Sequence, residues 1–162
     1  MRFTDILKRL LGLDPTAVTM SDDDPYEVSP PRSASAFFRS LPQLGISASF
    51  ICLEGVTEPL LLPLLREHSV APPLNIARGT IWPKPDVLHV PANPSLLEAI
   101  ASLLETHGAT VPCSHVFLYT PDRVVLQWYD AFYSDPIYIS RCVTLPTAQA
   151  FAEAIGGTLT IT

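Results

Sequence analysis

The sequence predicts an α+β domain: a mixed, largely antiparallel sheet with a C-terminal three-stranded meander and helices packed on at least one face. Three observations lead there. Residues 115–141 alternate apolar and polar side chains through three runs joined by two turns. Residues 93–108 and 144–157 carry apolar stripes at helical spacing between clear start and stop residues. Short β-branched runs near residues 50 and 88 supply further strands.

Bulk properties bound the rest. A chain of 162 residues, 48% apolar and 16% charged, suits one domain with its own core. The net charge of −6 disfavours nucleic acid and anionic membrane as partners. Three cysteines without paired spacing fit a reducing compartment. No secretory signal and no run of about 18 apolar residues is present. A cytoplasmic protein of bacterial type, not integral to a membrane, is therefore expected.

Residues 1–13 form an amphipathic helix candidate, with Phe3, Ile6, Leu7, Leu10 and Leu11 on one stripe beside Arg2, Lys8 and Arg9. It docks on its own domain or, in the sharper reading, on a membrane surface or a partner. Residues 14–33 read as a connector. Four prolines and the run Asp22-Asp23-Asp24 argue against a packed element, and the aspartates read as a solvated loop rather than a cation site. Residues 34–162 make the single α+β domain.

Within it, residues 35–41 suggest a short helix burying Phe37, Phe38 and Leu41, and 47–53 a central strand. Residues 57–68 suggest a helix capped by Thr57, with a break or restart at Pro63. Residues 74–76 and 87–90 look like short strands. Between them the Trp82-Pro83-Lys84-Pro85 loop must be extended, and it offers Trp82 either as a recognition tip or as a plug for the core edge. In 93–108, Asn93 caps, Pro94 occupies the first turn and Gly108 ends the helix. The second such helix, 145–155, leads to a last strand at 158–162, parallel in direction to the strand before the helix.

The alternation in 115–141 assigns faces. Val116, Leu118, Val124, Leu126, Trp128, Ile137 and Ile139 fall on a core face. Phe117, Tyr119, Val125, Gln127, Tyr129, Tyr138 and Ser140 fall on the other, which is aromatic but carries hydroxyls and an amide.

No phosphate loop, dinucleotide fingerprint, nucleophile elbow or zinc-binding motif is present, so no cofactor and no metal is expected. Cys113 and His115 share a strand face, but two ligands do not make a metal site. An enzyme would have to draw on Asp130, Asp135, Glu54, His89 and Cys113. Cys52, in an apolar strand, is expected to be inert. The stronger expectation is a protein-binding surface of Tyr119, Gln127, Tyr129, Asp130, Tyr133, Asp135, Tyr138 and Trp82, since tyrosine and tryptophan dominate interface energetics. An inhibitor- or immunity-like module fits that composition. A homodimer built on the aromatic face or the first helix is the remaining alternative.

Overall fold

A computed structural model of the chain describes residues 14, 16–22, 24–80 and 83–161. The candidate helix at 1–13 and the candidate recognition residue Trp82 lie outside the described residues. The elements run β1 (Tyr26–Val28), α1 (Ala34–Ser40), a 3-10 turn (Leu41–Leu44), β2 (Phe50–Glu54), α2 (Leu61–Glu67) and β3 (Val87–Pro91). Then come α3 (Pro94–His107), β4 (His115–Tyr119), β5 (Val124–Trp128), β6 (Ile137–Ile139), α4 (Leu145–Ile155) and β7 (Leu159–Ile161). This is the α+β class that the patterning predicts.

One seven-stranded sheet holds every strand among the described residues, in the order β3-β2-β4-β5-β6-β1-β7. All six pairings are antiparallel; the only parallel contact among the described residues is the bridge between Val18 and Ile76. The predicted meander is β4-β5-β6. Strand β7 does run in the direction of β6, as a crossover through α4 requires, but β1 lies between them and pairs with both.

That insertion corrects the reading of 14–33 as a bare connector. Tyr26 and Val28 are buried, and the strand is anchored by Arg141. The Arg141 guanidinium lies 4.2 Å over the Tyr26 ring, donates to the Asp24 carbonyl and carboxylate, and the Arg141 amide donates to Asp22 Oδ2 at 3.0 Å. Asp24 thus pairs with a cation while staying exposed to solvent, and half-buried Asp22 accepts a backbone amide. Composition failed here because three residues between prolines suffice for a strand when both neighbours are already in place.

Other departures have equally local causes. Helix α2 begins only at Leu61, so Pro63 falls in its first turn, where its missing N–H costs nothing. Thr57 does not cap it; its hydroxyl donates to the Val111 carbonyl at 2.7 Å. Residues 74–76 make the single bridge to Val18 in place of a strand. A β-bulge after Leu118 sets Tyr119 opposite Val124 and Leu118 opposite Leu126. The extra residue, Val125, joins the main core, and Val124 moves to the tyrosine face, reversing the face that simple alternation assigns to each.

Helices α1, α3 and α4 cover the aliphatic face, with α1 packed on both of the others. Asn93 caps α3 by accepting the Leu96 amide at 2.9 Å, and Gly108 at φ +62° ends it. Leu96, Leu97, Ile100 and Leu104 are buried from its stripe, each worth roughly 1.5–3 kcal/mol before entropy is counted. Phe37, Phe38, Trp128, Phe132 and Phe151 meet at the centre of this core. Among the described residues the opposite face carries no helix; the segments 16–20 and 72–80 lie over its β3-β2-β4 end.

Candidate functional site

The antiparallel registers align one residue from each strand across the helix-free face. His89, Cys52, Phe117, Gln127, Tyr138, Glu27 and Thr160 stand opposite one another in that order, from one edge of the sheet to the other. The first three are covered by the loop segments. Of the last four, Gln127, Tyr138 and Glu27 are half-buried and Thr160 is exposed.

The covered half encloses a cavity of about 200 Å³ between β2, β3 and the 72–78 segment, lined by Cys52, Glu54, Ile76, Arg78, His89 and Phe117 among others. Here Cys52 Sγ lies 3.9 Å from His89 Nε2, and His89 Nδ1 lies 2.9 Å from the Tyr119 hydroxyl. Burial and the Glu54 charge push the Cys52 thiol up to about 12. Burial, with a smaller part from the Arg78 charge, holds His89 below its usual value. Burial also raises the Tyr119 phenol. At neutral pH all three are uncharged: a hydrogen-bonded chain, not an activated thiolate–imidazolium pair.

At the end of β2 and the start of β4, Glu54 and His115 are cross-strand neighbours, and both are buried. The Glu54 carboxylate accepts the Gly79 amide at 2.9 Å and the Thr80 amide at 2.7 Å, so both its oxygens are engaged. His115 Nδ1 accepts the Asp130 amide at 2.9 Å, which places its proton on Nε2, 2.8 Å from the Thr80 hydroxyl. Gly79 is required for this approach: a Cβ there would sit 2.3 Å from the His115 ring. The pair therefore clamps the 78–80 segment onto the sheet.

The predicted binding residues divide among three places. Gln127, Tyr129 and Tyr138 lie half-buried on the helix-free face, and Tyr129 packs edge-on against both His115 and Phe117. Burial and the Glu54 charge raise the Tyr129 phenol. Tyr119, predicted beside them, is fully buried and is a support rather than a contact. Tyr133, 62% exposed, sits on the helix side instead, at the rim of a groove of about 470 Å³ between residues 30–35 and the end of α3. Asp130, at φ +44°, and Phe132, at φ +70°, turn the chain so that Phe132 enters the core and Tyr133 faces outward. Asp130 and Asp135 are both exposed, and the Asp135 carbonyl accepts the Trp128 indole N–H at 2.9 Å.

The residues that an enzyme would need are not gathered in one cleft. Cys113 lies in the helix-side core, where burial raises its thiol further still, while His89 and Glu54 line the cavity on the other face. Among the described residues no three His, Cys, Asp or Glu side chains stand close enough to hold a metal ion. The chain matches no family model, no curated protein and no solved structure.

One atom on the helix-free face stands out. Gln127 Oε1 is buried, and among the described residues it is the only buried side-chain nitrogen or oxygen without a hydrogen-bond partner. Patterning places Gln127 on this face but cannot reveal the orphan, because that depends on which strands flank β5. The contributions of Glu27, Cys52 and His89 to the row depend likewise on strand order.

Proposed function

We propose that this chain is a protein-interaction module, inhibitor- or immunity-like, whose contact surface is the open half of the helix-free face around Gln127, Tyr138, Tyr129 and Glu27. The orphan acceptor on Gln127 carries the reading. A buried carbonyl oxygen without a donor costs about 1–3 kcal/mol, and a partner's N–H or O–H recovers that loss when the half-buried Gln127 side chain turns its amide outward on binding. Tyr129 and Tyr138 flank it with ring surface that is already half ordered, the composition of an interface centre. Glu27 beside Tyr138, with the net charge of −6, selects a partner that is basic and rich in donors.

The test is capture of partners from native cells on immobilised chain. Binding retained by wild type and by Tyr133→Ala, and lost by at least about tenfold in Tyr138→Ala and Gln127→Leu, is the expected pattern. Gln127→Leu removes the orphan and should leave thermal stability equal or slightly higher, so its loss of binding is not a loss of folding. Loss in Tyr133→Ala alone moves the interface to the helix-side groove and ends this reading. Tyr119→Ala is unsuitable as a probe, because truncating a fully buried ring opens a cavity.

A further inference from the structure

The two edges of the sheet are built differently. At the β3 edge the outward carbonyl of His89 accepts the Val70 amide at 2.8 Å, Pro91 has no N–H to offer, and Pro83, Lys84 and Pro85 precede the strand. Such edges do not recruit another strand. At the other edge β7 has β1 on one side and, among the described residues, no strand on the other. From Gly156 to Ile161 the sequence is Gly-Gly-Thr-Leu-Thr-Ile, without charge or proline.

Ser29 and Thr158 stand opposite each other in the register that continues β1–β7, and the Ser29 amide donates to the Thr158 carbonyl at 2.9 Å. Antiparallel ladders alternate between bonded and non-bonded pairs. Thr160, two residues on, therefore turns its N–H and C=O inward to Glu27, while Leu159 and Ile161 turn theirs outward. Their side chains lie on the helix side: Leu159 packs against the main core, and Ile161 is 55% exposed beside Leu145, itself 37% exposed. A groove of about 370 Å³ runs between β7 and α4 at this point, lined by Leu145, Ala152, Leu159 and Ile161, with Gln149 and Glu153 on its flank.

We infer that β7 is a dimerisation edge whose occupant is a second copy of this chain. A two-fold axis through Thr160 sets Leu159 opposite Ile161 of the second copy, and Ile161 opposite its Leu159, as bonded pairs. The four outward groups of each strand are then satisfied in one antiparallel step. Leu-Thr-Ile is suited to meeting itself: apolar, polar, apolar in either direction, with no charge to repel its own copy. Ile161 and Leu145 of each molecule then extend the other's helix-side core, and the sheet runs unbroken through both copies. This edge is separate from the surface assigned above to a foreign partner.

Sedimentation equilibrium of the full chain up to about 100 µM tests it, with dimer expected in wild type. Ile161→Pro deletes one outward N–H per copy, two inter-copy bonds by symmetry. Ile161→Lys sets cations near the axis. Each should weaken the dimer by at least about tenfold while the far-UV spectrum, and the melting temperature at dilutions where wild type is monomeric, stay at wild-type values. Thr160→Val, which leaves the outward groups untouched, should remain dimeric. A wild-type chain that is monomeric throughout the range overturns the inference, and so does a dimer that survives both Ile161 substitutions.

Discussion

The two faces of the sheet use the same strands for opposite ends. On the helix side, Trp128, Phe37 and Phe151 fill space, and the indole N–H alone among these rings needs a polar partner, which the Asp135 carbonyl provides. On the other side polar groups are tied one by one: Glu54 to two amides, His115 to an amide and a hydroxyl, His89 to Tyr119. Apolar packing is insensitive to direction and tolerates three helices closing over it. Hydrogen bonds are directional, so the second face is closed by short loop segments that deliver single amides where they are needed, and half of it stays open.

The contrast predicts a ranking of effects. Trp128→Ala should cost the most, about 3–5 kcal/mol in urea unfolding, because the ring is fully buried against Phe37 and Phe132. A cost under about 1 kcal/mol would mean the helices do not close the core as described. Gly79→Ala should cost less, about 1–3 kcal/mol, by forcing the 78–80 segment off the His115 ring. Its signature is local: amide exchange should quicken at Gly79 and Thr80 while α3 stays protected.

The smallest effect is that of pH. His89 sits below its usual value of about 6.5 in the folded chain, first through burial and then through Arg78. As pH falls past about 6.5 the unfolded chain takes up a proton that the folded chain refuses. Its contribution to stability is therefore complete above about 6.5 and is lost on acidification, down to the lower folded value. The melting temperature of His89→Gln should fall less steeply than wild type over that interval; parallel curves would refute the assignment.

What was legible in the sequence follows the same division. Helix α3 announces itself through Asn93, Pro94, Gly108 and a leucine stripe, all local signals. The meander is legible because its runs alternate and its first turn, residues 120–123, is short. Strand β1 is not, since Tyr26–Val28 becomes a strand only by contact with residues far along the chain. The exchange of faces by Val124 and Val125 is hidden for a related reason: a bulge belongs to a pair of strands, and neither strand shows it alone. Of the predicted binding set, Gln127, Tyr129 and Tyr138 do share a face. Tyr133 is turned away by the two left-handed residues before it, a conformation that Asp and Phe do not advertise.

The position of β1 also carries a message about assembly in time. It emerges first from the ribosome among the strands, yet both its neighbours, β6 and β7, are made last. Its amides have no ladder to join until nearly all of the described chain exists, so closing the sheet means closing the longest loop in the molecule. The meander and α3 can organise during synthesis, whereas the seam at β1 forms afterwards and should limit the folding rate. Until that seam forms, β6 is a bare edge, and a chaperone or a premature encounter with another nascent chain would meet it there.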